Sequence, residues 1–325
     1  MPIQRCLISR ENNPYFNLAA EEYFLKNTED EIFMVYINQP SVVVGKHQNL
    51  LKEINAPWCY KHNIILSRRL SGGGTVYQDQ GNINFSFILN CPTLDKVNYK
   101  KFTYPILQSI KSFGLNVQNS DRNDILLNDL KISGNAMHIF KNRVLCHGTL
   151  LFKSDLKNLK TALDNNGERY IDKSIKSVSS KVVNIAEFLP KDITENYFIE
   201  KLFQNTIDFL DNPKNYSLTT RESQEIKKLA NEKYSTWDWI YGYSPKYLFR
   251  NKFYLNNEII EISMSVEKGV ILETNSGDEN INNLINNILI NRKHDYKSIE
   301  SLFTDKKLND FFQGYSVEEF CDALF

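Results

Sequence analysis

The sequence predicts an α/β (α+β) protein: a large domain of strands interleaved with helices over residues 1–246, then a small α/β domain over residues 247–325. Three observations carry this. The 325 residues exceed the ~250–300 at which a single core stops growing. Short β-branched and aromatic runs alternate with longer segments that carry helix start and stop signals. Near residue 246 the pattern changes to a plain alternating hairpin.

Taken in order, "IQRCLIS" reads as a strand, and Asn13 followed by Pro14 marks a capped helix start with "YFNLAAEEYFLKN" as its body. "EIFMVYI" and "SVVVG" are buried strands separated by the turn signal "NQP". "NIILSRR" leads as a strand into Gly72, Gly73 and Gly74, and "NINFSFIL" leaves them with Ile83, Phe85 and Phe87 alternating. "NYKKFTYPILQSIKSFG" is a helix stopped by Gly114, with Pro105 placed to kink or split it. "NDILLNDLKISGNAMHIFKNRVLCHGTLLF" reads as strands around turns at "LNDL" and "FKNR", and "SDLKNLKTALD" starts a helix. Residues 165–184 show no period and are expected as a long polar loop, a feature that is commonly functional. Helices over about 194–210 and 220–233 close the first domain, and "STWDWIYGYSPKY" is an aromatic connector. Beyond it Ile260, Ile262, Met264 and Val266 alternate up to the turn "EKG", and short helices run to Phe325.

Composition narrows the function. Apolar residues at 42% and charged residues at 24% fit a core-forming globular chain. Thirty-nine basic residues balance thirty-nine acidic ones, which leaves no electrostatic footprint for nucleic acid. No apolar run nears the ~20 residues of a membrane span, and the N-terminus has no leader pattern, so a cytoplasmic protein is expected. Cys6, Cys59, Cys91, Cys146 and Cys321 are scattered and odd in number, which suits reduced thiols and argues against a disulfide or zinc framework. Nothing marks an oligomer surface, so a monomer is expected.

The stretch "RRLSGGGTVYQDQGNINFSF" carries the strongest signal. Three glycines in a row are placed where φ must be positive or where another group approaches the backbone, and consecutive N–H groups there form a nest for anions. Arg68 and Arg69 alternate along a strand, so one of them reaches a pocket. From the glycines alone a hairpin turn and a ligand loop are both open; the motif is neither a GxxxxGK phosphate loop nor a GxGxxG fingerprint. Lys131 in "LKISGN" is costly on an inward face unless it meets an anion, and an outward, solvated lysine stays open. In "CHGTLL" adjacent strand residues face opposite sides, so Cys146 and His147 do not form a dyad. Cys146 reads as a small buried apolar residue, and His147 as either a pocket or a core histidine. Asp124 in "RNDILL" suits a Mg²⁺ carried on a substrate phosphate, since that ion takes one or two carboxylates, though an ordinary turn reads the same. Lys176, Ser177, Ser179, Ser180 and Lys181 offer hydroxyls and charge to close over a phosphate.

Together these segments resemble the lipoate–protein ligase family. "RRLSGGGTVYQDQGNINFSF" is similar to its lipoate-binding loop, "RNDILL", "KISGNA" and "HGTLLF" follow in the family's order, and "IKSVSSKVVNI" resembles its adenylate-binding loop. "WDWIYGYSPKY" and the tail resemble the family's connector and C-terminal accessory domain. The resemblance implies a mixed β-sheet catalytic domain of the biotin/lipoate ligase type plus that accessory domain. It also implies two reaction steps: ATP and lipoate give lipoyl-AMP and pyrophosphate, and a lysine of a lipoyl carrier domain then takes the lipoyl group. The carriers implied are the E2 subunits of 2-oxoacid dehydrogenases and the glycine cleavage H protein. ATP with Mg²⁺ is the co-substrate, and no tightly bound prosthetic group is expected. On the matching segments Lys131 is the implied catalytic residue. Lipoate and its adenylate are assigned to Arg68, Arg69, Ser71, Gly72, Gly73, Gly74, Val76, Tyr77, Asn82, Asn84, Phe85, Asn123, Asp124, Ser133, Gly134, Ala136, His147, Gly148, Thr149, Val178, Lys181 and Val182, with Mg²⁺ on Asp124. A transferase taking the lipoyl or octanoyl group from lipoyl-AMP or another carrier, without activating free lipoate, is the alternative. No general base for the acceptor lysine is evident.

Overall fold

The computed structural model of the chain describes residues 4–91, 99–121, 123–178, 180–255, 258–277, 279–303 and 317–325; Ser179, named above, lies outside them. The chain opens with β1 (Arg5–Ile8), α1 (Pro14–Asn27), β2 (Ile32–Ile37), β3 (Ser41–Val44), α2 (Leu50–Glu53), α3 (Ala56–Lys61), β4 (Ile65–Arg68), β5 (Val76–Gln78) and β6 (Asn82–Asn90). Next come α4 (Tyr99–Lys111), β7 (Val117–Asn119), β8 (Ile125–Leu127), β9 (Leu130–Ser133), β10 (Asn135–Phe140), β11 (Arg143–Leu151) and α5 (Leu156–Leu163). β12 (Tyr170–Ile171), α6 (Glu195–Ile207) and α7 (Thr220–Leu229) lead to β13 (Tyr247–Leu255), β14 (Glu258–Glu267), β15 (Val270–Ser276), α8 (Glu279–Leu289), α9 (Tyr296–Phe303) and α10 (Val317–Ala323).

A five-stranded mixed sheet in the order β1-β2-β6-β11-β10 forms the frame, with β1 parallel to β2 and the other pairs antiparallel. Strand alternation divides its two faces. Phe33, Val35, Phe85 and Phe87 pack with Phe102 and Ile106 of α4 and Phe198 and Leu202 of α6. On the opposite face Met34, Ser86, His147 and Ala136 stand in register across four strands, with the pair Tyr36 and Asn84 two residues further along on β2 and β6, and this face turns toward α1 and the glycine loop. α1 starts where the Asn13–Pro14 pair predicts, with Asn13 Oδ1 accepting the Tyr15 N–H at 2.8 Å. That bond satisfies one of the orphan donors of the first turn.

Smaller sheets carry the loops. β4-β3-β5 holds the glycine loop between β4 and the short strand β5, and β6 follows a turn later; β7-β8-β9 presents Lys131. The "LNDL" turn closes the β8–β9 hairpin with Asn128 at φ 49° and Asp129 at φ 65°, left-handed values that Asn and Asp tolerate. Pro105 sits inside a continuous α4, so it does not split the helix. The helix is fixed by packing against α6 and the sheet, and this outweighs the lost hydrogen bond.

Residues 165–184 also depart from the loop expectation. Gly167–Arg169 forms a helical turn, and β12 joins β13 as the edge of the antiparallel sheet β12-β13-β14-β15. Tyr170, 3% exposed, fills that sheet's core, a long-range pairing that no local period announces. The C-terminal hairpin follows the predicted alternation: Ile260, Ile262, Met264 and Val266 are buried, and Lys268 and Gly269 turn at φ 49° and 72°. Its core is continuous with Val42, Val44, Leu50 and Tyr77 beneath the glycine loop.

Candidate active site

The paired arginines do opposite jobs. Arg68, fully buried, donates to the carbonyls of Gly45, Lys46 and Gln48 on one side and of Trp239 and Ile240 on the other, and to Ser244 Oγ. It is spent on joining β3's exit to the connector. Arg69 points the other way, onto a cavity wall. Its Nη2 donates to the carbonyls of Gly72 and Gly74, both at 2.7 Å, its Nη1 to Val43 at 3.0 Å and its Nε to Ser71 Oγ at 3.0 Å. One guanidinium thus winds the glycine loop around itself. Gly73 takes φ 90°, a value costly for any other residue. Burial pushes both guanidinium pKa values down to about 10, so both remain cations at neutral pH.

Two cavities of about 350 and 620 Å³ meet at this loop, each within the usual size range of a small-molecule site. The first is walled by the sheet face (Tyr36, Asn84, Ala136, His147), by Leu18 of α1 and by Gly73 and Gly74. The second is walled by Tyr77, Ile132, Ser133 and Val182 and by an apolar stripe on α5, Leu156, Leu159 and Leu163, with Lys160 beside it. Lys131, Gly134, Thr149, Thr75, Val76 and Val178 border both. The ammonium of Lys131 pairs with Asp124 Oδ1 at 3.1 Å. Its strand is held from outside: the Lys131 N–H donates to the Lys181 carbonyl and the Val183 N–H to the Lys131 carbonyl. Gly134 lies beside the lysine; an added Cβ there would stand 3.4 Å from Nζ, an ordinary contact.

The first cavity ends on a buried polar relay. Ser71 Oγ lies 2.6 Å from His147 Nε2, and His147 Nδ1 lies 2.8 Å from Glu21 Oε2. The Tyr36 hydroxyl donates to the other oxygen of Glu21. Both ring nitrogens of His147 are thus engaged, Nε2 with Ser71 Oγ, which also accepts from Arg69, and Nδ1 with Glu21. His147 is therefore fixed in ring plane. Cys146, next in sequence, faces the opposite core and is fully buried, and burial drives its thiol pKa well up. The two form no dyad, as strand geometry predicts. Nearby, Asn84 Nδ2 and Asn135 Oδ1, on residues of the same wall, are buried with no hydrogen-bond partner among the described residues.

The model of the lipoyl protein ligase A/B catalytic domain matches residues 13–207. The chain belongs to this family. Lipoate–protein ligase 1 of Staphylococcus aureus strain Mu50 is 41% identical over 316 residues, covering 94% of this chain and 95% of that protein. Among solved structures, P. falciparum LipL1 in complex with lipoate is 25% identical, covers 96% of this chain and 98% of its own, and superposes with a TM-score of 0.63. A lipoate–protein ligase A bound with ATP, 24% identical, covers 75% of this chain and all of its own at a TM-score of 0.63, a likeness of fold.

Of the residues assigned by resemblance to the lipoyl protein ligase family, most line one cavity or both. Arg69, Gly73, Gly74, Asn84, Asp124, Ala136, His147 and Gly148 border the first, Tyr77, Ser133 and Val182 the second, and Lys131, Val76, Gly134, Thr149 and Val178 both. The others stand behind these walls. Arg68 serves the connector, and Ser71 backs His147. Gly72 faces open space. Asn82 donates to Asn84 Oδ1, and Phe85 lies on the core face of its strand. Asn123, at φ 64°, accepts from Asn135 Nδ2, and Lys181 contributes its carbonyl to β9. The sequence reading missed Glu21, Tyr36 and Leu18, which come from elements with no motif, and the α5 stripe. The leucine spacing 156, 159, 163 was the available signal for that stripe. Among the described residues no group of three His, Cys, Asp or Glu side chains is placed to hold a metal ion.

Proposed function

We propose that the chain is a lipoate–protein ligase in which lipoate fills the sheet-side cavity, the nucleotide fills the α5-side cavity, and the two react over Lys131. The observation that carries this is the shared wall: two small-molecule cavities meet at one lysine ammonium, beside the glycine loop. The carboxylate of lipoate, drawn out of its cavity toward Lys131, attacks the α-phosphate of ATP; the P–O bond to pyrophosphate breaks and lipoyl-AMP results. The ε-amine of a carrier lysine then attacks the acyl carbon, and AMP leaves. Lys131 offsets negative charge that grows at the phosphate in the first step and at the acyl oxygen in the second, without reorganising. The relay of Ser71, His147 and Glu21 closes the far end of the acyl cavity and fixes its depth.

Asp124, a single carboxylate on the wall of the sheet-side cavity and paired with Lys131 where the two cavities meet, would hold a Mg²⁺ that arrives on ATP at that junction. That ion supplies charge neutralisation on the phosphates when bound. The acceptor is a lipoyl carrier domain, with E2 subunits and the glycine cleavage H protein as the expected carriers, and the chain acts as a monomer. None of the helices in the described residues is long and apolar enough to cross a membrane, and the buried thiols of Cys6, Cys59, Cys146 and Cys321 suit the reducing cytoplasm in which we place the enzyme. Residues 247–325 form its accessory domain.

The test is intact-mass analysis of an unmodified lipoyl domain incubated with the chain, lipoate and ATP. One lipoyl group on one lysine is expected. Modification only from supplied lipoyl-AMP or a lipoylated carrier would make the chain a transferase.

A further inference from the structure

In the segment "HQNLLKE", residues 47–53, the side chains of Gln48, Asn49, Lys52 and Glu53 have no role so far, yet all four grip the segment that closes both cavities. Asn49 Nδ2 and Lys52 Nζ donate to the Asp172 carboxylate at 2.9 and 3.1 Å. Gln48 Nε2 donates to the Ile175 carbonyl at 3.3 Å and to Ser177 Oγ at 3.1 Å. Glu53, 2% exposed, accepts the Ser177 N–H at 3.3 Å and the Ser177 hydroxyl. The same Ser177 Oγ accepts the N–H of Thr75 at 2.9 Å, the residue directly after the three glycines.

A hydroxyl has one proton and two lone pairs, and all three are used here. Ser177 gives its proton to Glu53 and accepts from Thr75 and Gln48, so a single side chain ties α2, the glycine loop and the closing segment together. Glu53 also borders the α5-side cavity and not the other. A buried carboxylate beside a site for phosphates opposes binding unless its charge is committed elsewhere, and here it is committed to Ser177. On either side of the tie, Ile175 and Val178 are 79% and 66% exposed while bordering the cavities. These are apolar surfaces that an occupant would cover.

We infer that Glu53, with Gln48, is a positioning residue for adenylate formation: its carboxylate fixes Ser177 and so locks residues 172–178 onto the glycine loop in the arrangement that encloses the nucleotide. The inference rests on the ligase reading. Glu53 touches no reacting atom and acts through Ser177.

The experiment compares wild type, Glu53→Gln, Ser177→Ala and the double variant by two readouts: tryptic cleavage after Lys173 and Lys176 in the ligand-free protein, and KM for ATP and for lipoate in lipoate-dependent pyrophosphate exchange. Each single variant is expected to speed cleavage and raise KM for ATP about tenfold, the weight of one charge-assisted hydrogen bond. KM for lipoate stays within about twofold, and the double variant is no worse than the weaker single, because both break one tie. Effects that multiply in the double variant, a KM for lipoate that rises in parallel, or unchanged cleavage would overturn the inference. Should Glu53→Gln not fold, Gln48→Ala replaces it in the same cycle. Absence of exchange in folded wild type would count against the ligase reading, and the cleavage rates alone would then decide whether the tie exists.

Discussion

Replacing Arg68 with Met is expected to destabilise the chain by about 4 kcal/mol while leaving the ligand cavities intact. Five backbone carbonyls, of Gly45, Lys46, Gln48, Trp239 and Ile240, accept from this one guanidinium at 2.7–3.1 Å. At about 1.5–3 kcal/mol per bond to a charged group the gross loss approaches 10 kcal/mol. Part of it returns. The variant no longer buries a cation, whose cost shows in a pKa pushed from 12.5 to about 10, worth about 3 kcal/mol; water entering the opened site recovers a similar amount. A net loss near 4 kcal/mol is a large share of the ~5–15 kcal/mol that holds a domain together. Urea unfolding followed by tryptophan fluorescence measures it, since Trp237 and Trp239 lie on the connector that Arg68 holds. Arg68→Lys should recover less than half, because an ammonium cannot span both sides. A variant within about 1 kcal/mol of wild type, or one that keeps its stability and loses lipoate or ATP binding, would refute the assignment and return Arg68 to the ligand.

Three further outcomes are expected. His294 is fully buried, with the Tyr247 hydroxyl donating to Nδ1 and Nε2–H donating to the Leu324 carbonyl, and burial pushes its pKa down to about 4. The fold thus holds it neutral: its contribution is complete above an unfolded value near 6.5 and declines as the pH falls from 6.5 to 4, by up to about 3 kcal/mol. Urea midpoints across that window should fall in wild type and flatten in His294→Gln. Gly45→Ala would set a Cβ 2.2 Å from the Gly73 carbonyl and displace the glycine loop, so pyrophosphate exchange should drop about 100-fold; near-normal exchange would show that the loop's position does not matter. Because the Cys146 thiol is buried and its pKa raised, iodoacetamide should leave activity unchanged and Cys146→Ala should keep it within about twofold. Inactivation that lipoate prevents would instead point to a thiol acyl carrier.

Local chemistry made much of the fold legible. The Asn13–Pro14 pair set the start of α1, Asn128 and Asp129 set a hairpin turn, and alternation separated Arg68 from Arg69 before any coordinates. What alternation could not decide was which arginine faced the cavity, because that depends on the connector some 170 residues later in the chain. Tyr170 was hidden for the same reason: a two-residue edge strand has no period, and its partner Phe249 is distant in sequence. The Glu21–His147 contact joins residues 126 apart, one from a helix that carries no motif, so the wall of the sheet-side cavity was visible from one side alone. Pro105 does not split α4 because propensity is a weak prior where a helix is packed on two sides.

The central claim is that Lys131 stands where an acyl cavity and a nucleotide cavity meet, and lipoate-dependent exchange of labelled pyrophosphate into ATP, run without carrier protein, tests it most directly. Wild type should exchange, and Lys131→Ala should lose exchange at least about 100-fold while still binding lipoate with a Kd changed less than about threefold. Exchange that survives in Lys131→Ala, or a folded wild type that binds lipoate and ATP but does not exchange, would contradict it.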